Sequence, residues 1–499
     1  MCPGEAILAP SRLAEMTLSP AIVAELGAVV GAAHVITEPE QLRVYDCDGL
    51  TGWRATPALV ALPGSTAEVQ GLVRICAREG IPFVARGAGT GLSGGALPIA
   101  EGIVIALTRM SRILEIDLLS QRVVVEPGVA NLDVTRAVEA DGFFYAPDPS
   151  SQQVCTIGGN VAENSGGAHC LKNGFTVNHV TGLTIVLPDG ETVELGGKAL
   201  DPEGLDLLGV FVGSEGTLGI ATEITLRIVR KPEAVTTQLA AFSSIDEAGE
   251  AVSAIVSQGI LPAAIEMMDR LTIVAAEQAF HPGYPEGAEA VLLVELDGVA
   301  VQVEEDAAEV DRICRACGAF EVRVARDDSE RALLWLGRKG AFPAMGRMSP
   351  DYYVQDGVVP RTKLPEVLRR IGELSREHGL RVGNVFHAGD GNLHPLVLYD
   401  AAKGETEAAK QLAEEILTAC LDAGGSLTGE HGVGVDKACS MPKMFSERDL
   451  EAFERLRRAF DPDGLANPGK VIPTPRLCGE VPGPYRQHPL ELVGLGERF

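Results

Sequence analysis

Short apolar runs and amphipathic stretches alternate along the chain from Pro57 onward. Ala58–Leu62 is apolar throughout and is broken by Pro63-Gly64, which predicts a buried strand. Ser65 with Glu68 three places on reads as a capping box, and Val69, Leu72, Val73 and Cys76 then recur at helical spacing until Gly80. Ile81–Ala85 is the next strand, so this opening reads as a βαβ unit. Ahead of it, Ala21–Val30 has the apolar content of a core helix, and Glu25 makes it amphipathic. Strands at Ile103–Leu107, Ile113–Asp117, Val123–Pro127, Val180–Leu187 and Thr192–Leu195 follow, with a helix from Asn131 or Asp133 to Ala140. Together they predict a first domain over residues 1–230.

Beyond Pro232 the rhythm changes. Strands Thr237–Phe242, Ala264–Met267, Ala290–Leu296 and Ala319–Ala325 alternate with helices Ile245–Gln258, Arg270–Phe280, Val301–Cys317 and Asp328–Lys339. The helix Leu364–His378, strands Val382–Phe386 and Leu396–Tyr399, and the helix Glu405–Ala423 continue the series. This alternation predicts an α+β cap over residues 231–430, an open sheet built from ferredoxin-like units. A helix at Asp449–Ala459 and the rigid stretch Asn467-Pro468-Gly469-Lys470 predict a C-terminal segment, 431–499, that returns to the first domain.

Hydrophobic residues make up 46% of the 499 and charged residues 22%, which excludes a largely disordered chain. The formal charge of −27 repels nucleic acid and anionic lipid, so an anionic substrate needs positive charge supplied locally by a few residues. Cys314 and Cys317 sit inside a helical pattern with no second pair at zinc-site or iron–sulfur spacing, so they read as structural thiols. No run of 18 apolar residues occurs, which argues against a membrane span. The start, MCPGEAILAP, lacks the pattern of a secretory signal, and a cytoplasmic location is the expectation.

Three glycine-rich stretches carry the first chemistry. Gly89-Thr90-Gly91-Leu92-Ser93-Gly94 satisfies G-x-G-x-x-G after a strand, but Gly95, Pro98 and Gly102 leave no room for the helix that a nicotinamide fingerprint opens. What remains is a loop whose N–H groups can form an anion nest, with Cβ-free positions that let phosphate approach. Thr156-Ile157-Gly158-Gly159-Asn160 and Val212–Ile220 read as two further loops of this kind. Their concentration in one domain implies a long phosphorylated ligand.

The second chemistry lies in His387-Ala388-Gly389-Asp390-Gly391-Asn392-Leu393-His394. A strand running into a Gly-Asp-Gly turn can fold both imidazoles toward one point. With Glu430 of Gly429-Glu430-His431-Gly432 they make either a divalent-metal site with open positions or ordinary turn and core histidines. Arg338, at the end of its helix, is either a solvated charge or a bidentate clamp for a carboxylate. Lys339 and Arg347 are weaker candidates, and Tyr352 and Tyr353 are expected to line a small pocket.

ALVALPGSTAEV, RGAGTGLSGGA, PDPSSQQVCTIGGNVAENSGG and GSEGTLGI resemble the FAD-binding domain of the vanillyl-alcohol-oxidase/p-cresol-methylhydroxylase type flavoproteins. FHAGDGNLHP and GEHGVG are similar to the D-2-hydroxy-acid dehydrogenase branch, and DYYVQDGVVPR and GRKGAFPAMGRMSPDYY look most like the flavoprotein subunits of bacterial glycolate oxidases. The resemblance implies an α+β chain: a two-lobed FAD-binding domain of the p-cresol-methylhydroxylase type, 1–230, under the ferredoxin-like cap. It implies FAD pyrophosphate on Arg86, Gly87, Ala88, Gly89, Thr90 and Gly91. Further flavin contacts would come from Pro147, Ser150, Gly158, Gly159, Asn160, Glu215, Gly216 and Ile220. Some relatives attach FAD through a histidine in the first loop, where this chain has Thr90, so non-covalent FAD is expected.

The resemblance also implies His387, His394 and Glu430 as ligands of zinc, manganese or ferrous iron, and Arg338 as the substrate-carboxylate clamp. Leu396 replaces a polar residue that relatives often carry after the second histidine, which alters the surroundings of the ion. No lysine precedes Asp356 in Tyr353-Val354-Gln355-Asp356, which favours a small monocarboxylate, glycolate or D-lactate, over a dicarboxylate. His431 is the expected general base or, alternatively, an orienting group. The expected reaction is hydride transfer from Cα to flavin N5. The implied partners are a second flavoprotein-like subunit and an iron–sulfur subunit, which would place the chain at the inner face of the membrane without a span of its own. A stand-alone D-lactate dehydrogenase is the alternative.

Overall fold

A computed structural model describes residues 18–199 and 204–473. The start of the chain, on which the expectation of no leader rests, and the end of the C-terminal segment lie outside them. Among the described residues no helix is long and apolar enough to cross a membrane.

The first domain is two sheets. β1 (Val35–Ile36), β2 (Leu59–Ala61), β3 (Phe83–Arg86) and β4 (Ile103–Ala106) form one in the order β1-β2-β4-β3, with β2, β4 and β3 parallel. The helix Thr66–Glu79 crosses over between β2 and β3, and its stripe Val69, Leu72, Val73 and Cys76 is fully buried, as the spacing predicts. Ser65 Oγ accepts from Glu68 N, but the Glu68 carboxylate accepts from Gly64 N, one residue ahead of the cap. β5 (Ile113–Asp117), β6 (Arg122–Val125), β7 (Phe143–Phe144), β8 (Val180–Val186), β9 (Thr192–Gly196), β10 (Ile220–Arg227) and β11 (Val229–Arg230) follow. Five of these make an antiparallel sheet ordered β5-β6-β10-β8-β9, and β7 pairs β11 separately.

The cap starts with β12 (Ala234–Phe242), β13 (Ala264–Asp269), β14 (Ala290–Gly298) and β15 (Glu321–Val324), ordered β15-β12-β14-β13. That is the ferredoxin-like order, with the helix Arg270–Phe280 inserted between the second and third strands. β16 (Asp351–Val354), β17 (Gly357–Val358), β18 (Val382–His387), β19 (Asn392–Leu393) and β20 (Pro395–Tyr399) form a second such unit, joined edge to edge where β13 pairs β18. Helices cover both faces of this sheet, so its strands read as continuous apolar runs rather than alternating ones. Successive residues still part by face: Ala240, Phe242, Ile265 and Met267 enter one core, while Leu239, Ala241, Ala264 and Met268 enter the other.

After the helix Glu447–Phe460 the chain returns to the first domain. Phe83 N donates to Leu465 O and Asn467 N to Phe83 O, so the tail lies along β3 beside the first glycine loop. Cys314 is buried within the helix Ala300–Ala316, and neither it nor Cys317 is in a disulfide.

Candidate active site

β3 ends at Arg86, and no helix follows before β4. Gly89 has φ +69°, and a Cβ there would lie 2.3 Å from Arg86 Nη2; a Cβ on Gly87 would lie 2.3 Å from Thr156 Oγ1. These positions therefore demand glycine, Gly89 for backbone sign and both for space. The Arg86 guanidinium is committed to the carbonyls of Cys47, at 2.7 Å, and Ala96, at 3.2 Å. Arg86 thus props the loop and leaves the Gly87–Gly91 backbone on the cavity wall.

The second stretch departs from the sequence expectation. Thr156 is the N-cap of a short helix, Ile157–Glu163, which the two adjacent glycines disguise. Gly158 is required there because its Cβ would lie 2.6 Å from Pro127 Cβ. Pro147 does not line the cavity described below; its carbonyl accepts from Asn131 Nδ2, whereas Ser150 is on the wall. The third stretch keeps Gly213, Glu215, Gly216 and Gly219 at positive φ before Ile220 opens β10. The buried Glu215 carboxylate accepts from Val433 N and Gly434 N, both at 2.7 Å. It pins the segment following His431 against the glycine loops. Burial, with Glu215 beside it, pushes Glu163 well above the usual carboxylate range.

His387 closes β18, the turn passes through Gly391 at φ +82°, and His394 leaves it. The two rings stand at 89°, and the Nε2 atoms of both lie 3.2 Å from Glu430 Oε1. A carboxylate faces the far side of each ring, within hydrogen-bond distance only at His387. Glu266 Oε1 is 2.8 Å from His387 Nδ1, and Asp356 Oδ1 is 3.7 Å from His394 Nδ1. Asp356 also accepts from Thr428 Oγ1 and from the amides of Gly429, Glu430 and His431, so it shapes the turn that carries Glu430. Burial raises Glu430, but His387 and His394 outweigh it and hold the carboxylate well below its usual range. His431 stacks on His394 at 4.9 Å and 12°, and burial lowers it to about 4 despite the attraction of Asp356.

Arg338 ends the helix Asp328–Lys339, which Asp327 caps by accepting from Glu330 N. It is 4% exposed, and Nη2 lies 2.5 Å from Glu266 Oε2, out of line for a hydrogen bond; Nε and Nη2 have no acceptor. Lys339 is paired with Asp148 at 3.3 Å. Arg347 is exposed and off the site, and Tyr353 turns away to donate to Asp436; neither it nor Tyr352 lines the pocket expected of them.

One cavity of about 440 Å³ joins these parts. Gly87–Gly91, Ser150, Gly158–Asn160, Glu215, Gly216 and Ile220 line it from the first domain, and Arg338, Phe342, His387, His394, Glu430 and His431 from the other side. The domains are tied beside it: His169 bridges Asp148 at 2.9 Å and Glu295 at 3.1 Å, and Arg331 and Trp335 both donate to Glu295.

Residues 231–471 match the family model of FAD linked oxidases, C-terminal domain, and residues 57–196 that of the FAD binding domain. The chain is 48% identical over 460 residues to glycolate oxidase subunit GlcD of Escherichia coli (strain K12), covering 92% of each protein. It belongs to the FAD-linked oxidases. Among other members of that family it is 40% identical over 431 residues to GlcD of Bacillus subtilis (strain 168), covering 86% of this chain and 92% of that one. It is 33% identical to a D-lactate dehydrogenase of Anaerostipes hadrus, covering 84% and 90%. The structure of p-cresol methylhydroxylase with substrate bound shares the fold, with a TM-score of 0.76 at 18% identity over 91% of this chain and 97% of that one.

In this FAD-linked oxidase the glycine backbone at Gly87, Gly89 and Gly158, where a Cβ has no room, fits the close approach of a phosphorylated cofactor. The donor set of two imidazole nitrogens and one carboxylate, within 4.8 Å of one another, also fits a divalent ion with open positions. Glu266 escaped the sequence reading, and so did the role of Asp356 in shaping the turn, although a signal existed for the first. Glu266 is the lone charge within the otherwise apolar run Ala264–Met268, and a buried charge must have a partner.

Proposed function

We propose that this chain oxidises a small 2-hydroxy monocarboxylate, glycolate or D-lactate, to the 2-oxo acid with non-covalently held FAD. The observation that carries the reading is Arg338: a buried guanidinium on the wall of the cavity that the glycine loops line, ion-paired with Glu266 through Nη2 and with no acceptor on Nε. A substrate carboxylate would use the donors that Glu266 leaves. The hydroxyl then faces His387, His394 and Glu430. His431, held neutral by burial, accepts the hydroxyl proton as Cα loses its hydride. When bound, FAD supplies the two-electron acceptor, and a divalent ion (zinc, manganese or ferrous iron) at His387, His394 and Glu430 supplies Lewis acidity at the hydroxyl oxygen. Phe342 and Pro343 close the pocket, and the other cations on its wall are engaged, Lys339 with Asp148 and Arg86 with the carbonyls of Cys47 and Ala96. A second substrate carboxylate would have to displace one of these contacts.

The E. coli relative is a glycolate oxidase subunit, which supports electron delivery to partner chains; a second flavoprotein-like and an iron–sulfur subunit at the inner membrane surface are the partners this reading expects from the family resemblance. The A. hadrus relative is a D-lactate dehydrogenase, which supports D-lactate as the substrate; a stand-alone D-lactate dehydrogenase is the second reading. The test is anaerobic mixing of the purified protein with glycolate, D-lactate and 2-hydroxyglutarate. Glycolate or D-lactate should bleach the flavin's visible band. Equal or faster bleaching by 2-hydroxyglutarate would overturn the monocarboxylate pocket, and no bleaching by any of them would overturn the activity.

A further inference from the structure

Glu266 stands in the middle of β13 at 1% exposure, and the antiparallel register sets it directly opposite His387 of β18. Ala264, Glu266 and Met268 share the sheet face that packs on the helix Asp328–Lys339. Both carboxylate oxygens are used on the site: Oε1 on His387 Nδ1 and Oε2 beside Arg338 Nη2. Resting on the reading above, we propose that Glu266 is a positioning residue that sets the carboxylate clamp and an ion ligand together.

The chemistry of the two contacts differs. With Nδ1–H donated to Glu266, His387 presents the Nε2 lone pair toward Glu430 and His394, the tautomer an ion requires. Arg338 is held through Nη2 by the Glu266 carboxylate, and its Nε, which has no acceptor, stays available for a ligand. Gly337 packs so closely on Tyr284 and Pro282 that a Cβ would come within 2.6 Å of Tyr284 Oη, which fixes the helix end from behind. A glutamine at 266 has one oxygen and one NH₂ group. It can satisfy His387 or face Arg338, and whichever contact receives the NH₂ is lost.

The experiment compares Glu266→Gln with Asp269→Asn in the FAD-loaded protein. Asp269 is also buried in β13, but it accepts from Thr272 and Asn384, away from the cavity. Zinc affinity is measured by competition with a chromophoric chelator, and anaerobic flavin reduction by glycolate is measured at saturating zinc. Glu266→Gln should weaken zinc binding roughly 10- to 100-fold. It should also slow reduction at saturating glycolate by about tenfold or more while KM moves less, the signature of lost orientation. Asp269→Asn should lower the melting temperature and leave both quantities near wild type. If Glu266→Gln loses its FAD, Glu266→Asp, which keeps the charge but withdraws it, should weaken both quantities by less. The inference is overturned by zinc affinity within threefold of wild type, by an unchanged saturated rate, or by Asp269→Asn reproducing both losses. A wild-type protein that takes up no zinc overturns the ion site and this inference together. One that takes up zinc yet is reduced by no 2-hydroxy acid overturns the activity alone, and zinc affinity then decides the role of Glu266.

Discussion

Replacing Asp356 tests whether the turn bearing Glu430 and His431 is built around one buried carboxylate. Asp356 is fully buried, and its Oδ2 accepts from three consecutive amides, Gly429 at 3.0 Å, Glu430 at 3.2 Å and His431 at 2.9 Å. Lys437, itself 2% exposed, lies 3.5 Å from the same oxygen. Asp356→Ala removes the carboxylate from that buried ammonium and leaves it Gly432 O and Thr428 Oγ1, at about 3–5 kcal/mol. It also strands the amides, at about 1 kcal/mol each taken at the low end, for a loss of roughly 6–8 kcal/mol. Asp356→Asn can place its carbonyl where Oδ2 stands and keep the amide bonds. It loses only the charge, so it should lie about 3 kcal/mol above the alanine variant. Urea unfolding of the three proteins measures both differences. His431, Lys437 and His394 hold Asp356 below the carboxylate range against its burial, so the stability it contributes is present above the unfolded value and is lost as pH falls. The advantage of wild type over Asp356→Asn should accordingly shrink below about pH 4. An alanine variant within 1 kcal/mol of wild type, or an asparagine variant no better than alanine, would refute the account.

Three further perturbations probe other parts of the structure. His169 is raised to about 10 because Asp148 and Glu295 outweigh its burial. Its contribution is therefore complete below about pH 6.5 and disappears as pH rises through 10, and the unfolding midpoints of wild type and His169→Gln should converge there. Gly89→Ala puts a Cβ 2.3 Å from Arg86 Nη2 at a positive φ, and it should lower the FAD-to-protein ratio after gel filtration without unfolding the cap. Phe342 stands edge-on to His394 at 5.9 Å and walls the pocket. Phe342→Ala should shift the preference between glycolate and the longer 2-hydroxybutyrate about tenfold toward the longer acid, judged by the ratio of their specificity constants. An unchanged ratio would remove Phe342 from substrate selection.

Local chemistry is what the sequence alone could determine here. Arg270–Phe280, Asp328–Lys339 and Leu364–His378 are helices at the limits their apolar spacing and caps indicate, because cap and periodicity act within a few residues. The glycine loops and the pair His387 and His394 were legible for the same reason: spacing limits what short turns can do. The helix Ile157–Glu163 was not legible, since two glycines weaken it and packing on Pro127 sustains it. Arg338, which reaches the cavity, ranked above Arg347, which does not, but the family resemblance carried that ranking rather than a local signal. Tertiary structure alone decided the supports of the site: Glu266 lies 121 residues from His387, and Asp356 lies 75 from His431. Such pairs come from strand register and chain return, and their energies arise only once folding has removed the water that would otherwise satisfy each charge separately.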